Sequence, residues 1–154
     1  MRSVIPAITL AFFPTAGVCG EWATAQDGSA AIVQDDARIN IICDTEHGRA
    51  LHPDSLGKIL IFLKEPRANL TKFSKVEVNT VADDGPPATS QPSEGTALSP
   101  TSLVIENDAT WDLSEMGRAK KTFTIRAGAF SRTYSASRLR ETVAPILEKC
   151  GDGW

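Results

Sequence analysis

Apolar and polar positions alternate over short stretches of this chain, and that period-two rhythm predicts strands for most of its length. Ala30-Ala31-Ile32-Val33 leads into the turn-rich tetrad Gln34-Asp35-Asp36-Ala37. Arg38-Ile39-Asn40-Ile41 then alternates, with Ile39, Ile41 and Cys43 on one face. The pattern predicts a hairpin over 29–33 and 38–43 that buries this face. Lys58 to Leu63 is a continuous apolar run, the mark of a central strand. Val76, Val78 and Thr80 alternate in another strand, and Leu103-Val104-Ile105 form a short one. Phe123 and Ile125 share a face of the next, and Phe130, Arg132 and Tyr134 follow the break at Ala127-Gly128. Recurrent turn signals at this spacing predict a mainly β fold, an antiparallel β-sandwich or barrel of about seven strands.

One C-terminal α-helix is expected to follow the strands. Leu139, Val143, Ile146, Leu147 and Cys150 fall on one face at helical spacing, with Ser137 as N-cap and Gly151 as the stop. Pro145 predicts a kink or a late start, because it lacks a backbone donor and crowds the preceding turn. Between the strands, Asp44 to Asp54 reads as a polar loop. Residues 82–102, rich in Asp, Gly, Pro and Ser, offer little to bury and read as a flexible insertion.

The N-terminus has a different pattern. Arg2 precedes a short apolar stretch from Val4 to Phe13, Pro14 breaks it, and small residues follow. This describes a secretory signal peptide over 1–20 and is far too short to span a bilayer, which needs about 20 apolar residues. Cleavage after Gly20 retains Glu21-Trp22-Ala23-Thr24, which can open a first strand; cleavage as late as Ala25 also fits the small-residue preference. Residues 21–154 then form a single β-rich domain with no membrane span, in a periplasmic or secreted location. Either cleavage removes Cys19 and leaves Cys43 and Cys150, which an oxidising compartment would join in a disulfide. Closing a loop of about 100 residues stabilises by on the order of 4–5 kcal/mol in the chain-entropy model.

Composition adds limits. With 154 residues, 42% of them hydrophobic, the chain has material for one core, and its net charge of −3 excludes a global basic footprint for nucleic acid. Charge is uneven, however: residues 1–114 hold 8 Lys/Arg against 15 Asp/Glu, and residues 115–149 hold 8 against 3. Lys120, Lys121, Arg126, Arg132, Arg138 and Arg140 are therefore a candidate anion patch, or the partners of the acidic first part. Asp44, Glu46, His47, His52 and Asp54 bring both histidines together with three carboxylates, residue types that ligate divalent metals, although at no recognised ligand spacing. No nucleophile motif, phosphate loop or tuned carboxylate pair is legible, so neither an enzyme nor a cofactor is expected.

The last forty residues carry a likeness. Leu113 and Met116 precede Ala119, and Phe123-Thr124-Ile125, Tyr134-Ser135, Leu139, Ala144 and Leu147 follow. This spacing resembles the C-terminal part of small exported proteobacterial proteins of the invasion-associated locus B type. The resemblance implies a β-hairpin followed by a helix in a periplasmic or envelope domain without known catalysis, and it supplies no functional residues. The expected function is a non-catalytic binding or interaction protein of the cell envelope, its partner an unknown protein or envelope component. An inhibitor of an envelope-targeting hydrolase such as lysozyme, or a metal-binding protein using the 44–54 loop, are the alternatives.

Overall fold

The computed structural model describes residues 20–46, 57–85 and 91–151. Within them the strands are β1 (Ala23–Thr24), β2 (Ala30–Gln34), β3 (Ala37–Asp44), β4 (Lys58–Lys64), β5 (Lys75–Ala82), β6 (Ser93–Ser99), β7 (Ser102–Asn107), β8 (Thr122–Ala127) and β9 (Phe130–Ser135). Helix α1 (Ala109–Arg118) separates β7 from β8, and α2 (Leu139–Cys150) follows β9. The strands make one sheet in the order β1-β2-β3-β4-β7-β6-β5-β8-β9. Every neighbouring pair is antiparallel.

Register brings the apolar sets onto one side. Ile39 lies opposite Leu63 and Ile41 opposite Ile61, while Ile61 and Leu63 face Ile105 and Leu103 on the next strand. These residues form one buried cluster with Leu113 and Met116 of α1 and with Leu139, Val143, Ile146 and Leu147 of α2. Helix α1 packs over β5, and α2 packs over β3. A disulfide joins Cys43 at the end of β3 to Cys150 at the end of α2, with Cα atoms 5.7 Å apart and 107 residues between them in sequence. Gly57 packs against it: a Cβ there would stand 2.5 Å from Cys43 Sγ and 3.0 Å from Cys150 Sγ.

Three expectations are corrected. The strands form a single nine-stranded sheet among the described residues, with β1 and β9 at its ends and no ladder joining them, in place of the sandwich or barrel of about seven strands. A second helix, α1, precedes the expected one; its buried face mixes Leu113 and Met116 with Asp112, Glu115 and Gly117, which breaks the apolar stripe that would announce a helix. The segment 82–102 holds an interior strand, β6, paired on both sides by β5 and β7.

Strand β6 escaped notice because its inward positions are small by necessity. A Cβ on Gly95 would lie 2.9 Å from Leu103 Cδ1 and 3.2 Å from Val78 Cγ2. Large neighbours fill the volume, so the strand itself reads as polar.

At α2 the stop is as expected: Gly151, at φ 78°, returns its N–H to Leu147 and Glu148 carbonyls. The start is not. Arg138, in a left-handed conformation, occupies the N-cap without a side-chain cap bond, and the helix continues through Pro145, which faces solvent. The Ser137 carbonyl instead accepts the Trp22 backbone N–H at 3.2 Å.

Gly95→Val places branched atoms where Leu103 and Val78 already stand. It should cost about 1–3 kcal/mol, read as a lowered urea midpoint at unchanged slope.

Candidate functional site

Alternating directions along nine antiparallel neighbours leave the two outermost strands, β1 and β9, pointing the same way. Closure of the sheet would therefore need a parallel ladder, and the two-residue β1 is too short to supply one. Side chains span this seam. The Gln34 amide donates from Nε2 to the Thr133 carbonyl at 2.7 Å and accepts the Ser135 N–H on Oε1 at 3.2 Å. Those are the two bonds a residue of a parallel neighbour would make to β9, to the carbonyl before Tyr134 and the N–H after it. Trp22, fully buried, adds its indole N–H to the Ser135 carbonyl at 2.9 Å.

Below that closure lies a charged cluster. Arg132 sits opposite Ile125 on the inward face of β9, between Phe130 and Tyr134. Its Nε donates to Glu65 Oε2, and its Nη2 donates to Glu65 Oε1 and Asp36 Oδ1, each at 3.0 Å. Asp35 Oδ2 lies 3.5 Å from Nη1. Glu65 is 2% exposed and also accepts the Arg67 backbone N–H at 3.0 Å. Bidentate geometry plus that backbone donor offsets the desolvation of both charges. Hydrogen bonding to Glu65 raises the Arg132 pKa further, so the guanidinium stays charged. The Tyr134 hydroxyl, buried with no hydrogen-bond partner, is pushed up by burial and then by the Glu65 charge, and stays protonated. A groove of about 440 Å³ opens onto the cluster, lined by Gln34, Asp35, Glu65, Arg67 and residues 129–133.

The six cations of the candidate anion patch stand in different settings. Arg132 points inward to carboxylates, and Arg138 pairs with its helix neighbour Glu141 at 2.9 Å. The backbone N–H groups of Lys120 and Lys121 clasp the Asp84 carboxylate at 2.9 and 2.7 Å, while both residues stay exposed. Arg126 shares a groove of about 480 Å³ with Lys75, Asn79 and Asn69, and Arg140 is exposed on α2. The acidic β2–β3 turn thus meets the basic segment at one residue, Arg132. Of the candidate metal ligands, Asp44 ends β3 and accepts the Glu46 N–H at 3.1 Å, whereas His47, His52 and Asp54 lie outside the described residues. Among the described residues no cluster of three metal-binding side chains occurs.

Two carboxylates on α1 were not anticipated as special. Asp112 and Glu115 are 4% and 6% exposed, and each keeps one oxygen without a partner. Thr80 donates its hydroxyl to Asp112 Oδ1 at 2.5 Å, and Arg118 donates to Glu115 Oε1 at 2.6 Å. Burial raises the Asp112 pKa, against the lowering effect of the nearby Ser93 and Thr80 hydroxyls.

Arg132→Met leaves Glu65 charged, buried and unpaired, and should cost roughly 3–5 kcal/mol in urea unfolding. The double variant Arg132→Met/Glu65→Met should recover most of that loss, giving a large coupling energy in the cycle. For Asp112 the raised folded pKa means the native state holds its proton more tightly than the unfolded chain. Its contribution is therefore most favourable in acid and declines as pH rises through the window above 3.8 up to the folded pKa. Asp112→Asn should accordingly raise the melting temperature at neutral pH and flatten the stability profile across that window.

No family model, no curated protein and no solved structure matches this chain.

Proposed function

We propose that this chain is an exported, non-catalytic binding module of the periplasm or cell envelope, held rigid by its disulfide so that its grooves meet a partner preformed. The observation that carries the reading is the Cys43–Cys150 bond, which ties α2 to β3 across 107 residues. Such bridges persist in oxidising compartments and are rare in reducing ones. Trp22 is wholly buried and β1 begins at Ala23. Cleavage after Gly20 preserves Trp22 and β1, whereas cleavage after Ala25 would remove both. No helix among the described residues is long and apolar enough to cross a membrane. A preformed surface lowers the ordering cost of binding, the advantage a covalently braced sheet brings to a non-catalytic role.

Intact mass of the protein taken from its native host, after alkylation of free thiols, tests this reading. The expected result is a chain beginning near Glu21, with Cys43 and Cys150 unalkylated and a mass short by two hydrogens. A chain that retains its first twenty residues and carries alkyl groups on Cys43 and Cys150 would overturn it.

A further inference from the structure

The seam is closed over only part of β9. Gly128 (φ 57°) and Ala129 form a two-residue hairpin loop, so the flanking pair Ala127 and Phe130 exchange hydrogen bonds. Bonding to β8 then recurs at Arg132 and Tyr134, while Ser131, Thr133 and Ser135 turn their N–H and C=O groups to the other edge. The observed seam bonds obey this parity: Gln34 takes the Thr133 carbonyl and Ser135 N–H, and Trp22 takes the Ser135 carbonyl. Strand β2 ends at Gln34, and the chain turns away through Asp35 and Asp36. Nothing among the described residues bonds across the seam at the Ser131 N–H, the Ser131 carbonyl or the Thr133 N–H. All three lie on the stretch of β9 that lines the 440 Å³ groove.

We propose that this groove is a peptide-binding site, in which an extended segment of a partner protein adds to the open edge of β9 and exchanges two backbone hydrogen bonds with Ser131. Strand addition to an exposed edge is a general mode of peptide recognition: main-chain bonds hold the segment, and pockets choose its side chains. The surroundings select a single strand over a folded sheet edge. Gln34 and Asp35, where β2 ends, and Glu65 with Arg67 line the same groove as residues 129–133, so the free stretch of β9 lies in a concave site and not on a flat sheet edge. Charge selects further. Asp35, Asp36 and Glu65 share the single Arg132 guanidinium, and the side chains of Asp35 and Asp36 remain 70% and 50% exposed, so the rim stays acidic on balance even with Arg67 beside it and fits a segment with basic side chains. This site rests on the reading of the chain as an exported binding module that begins near Glu21; the intact mass reads leader cleavage and the peptide titration reads the edge, so the two succeed or fail separately.

The test is a titration of the oxidised protein, residues 21–154, with an acetylated and amidated pentapeptide of alternating threonine and lysine, followed through the backbone amide resonances. The Ser131 and Thr133 amides should move and gain protection from hydrogen exchange. Ser131→Pro removes the donor at a position where an edge strand tolerates proline, and should weaken the peptide by at least about fivefold while the remaining amide spectrum stays folded. The same peptide with its central backbone nitrogen N-methylated should lose affinity for the unaltered protein, a measurement that needs no folded variant. Unmoved Ser131 and Thr133 amides at millimolar peptide, or equal binding of the methylated and unmethylated peptides, would overturn the proposal.

Discussion

An odd number of strands, each antiparallel to its neighbours, cannot close on itself through antiparallel pairing alone. In this protein β1 and β9 point the same way, and β1 is only two residues long. Yet both belong to a sheet whose inward face is apolar from Ile32 to Tyr134 and must be kept from water. The solution is chemical. The Gln34 amide supplies the donor and acceptor of a missing strand, and Trp22 covers what remains with an indole that is apolar except for one N–H.

The polar features around the seam follow from that constraint. Because β9 curls toward the start of the chain, Arg132 reaches an interior bounded by the β2–β3 turn and the end of β4, where Asp36 and Glu65 meet it. A buried ion pair of this kind contributes modestly to net stability against an apolar replacement, but either charge alone is costly. Its effect is therefore on registration, since the β2–β3 turn, the end of β4 and β9 satisfy their charges together only in one arrangement. The Trp22–Phe123–Tyr134 contacts, with ring centroids 6.4 and 5.7 Å apart, continue that alignment into the core.

The disulfide braces another part of the same sheet. Cys150 holds α2 against β3, while the α2 entry receives Trp22 through the Ser137 carbonyl. One helix is thus secured at both ends to the N-terminal strands, one link covalent and the other polar. Helix α1 is held less simply, with Asp112 and Glu115 turned into a region where each leaves one oxygen unpartnered. Evolution commonly accepts such a cost where a surface serves a purpose beyond stability.

Alternation in Arg38–Ile41, Val76–Thr80 and Phe130–Tyr134, the apolar run at Lys58–Leu63 and the stripe of α2 were legible as local order, because each carries its own burial pattern in its side chains. The pairing of Cys43 with Cys150 was legible too, from the cysteine count on the expectation that Cys19 leaves with a signal peptide. Helix α1 and strand β6 were not. Carboxylates interrupt the inward face of α1 and serine, glycine and alanine fill that of β6, and Thr80, Leu103 and Val78 meet them from elsewhere in the chain. The seam was likewise invisible. Arg132 between Phe130 and Tyr134 on one strand face carries a faint signal, a charge in an apolar alternation, but its partner Glu65 is 67 residues away. Periodicity decides which face of an element turns inward. Which distant groups wait there, and which edge is left open, are set by the order and direction in which the strands assemble.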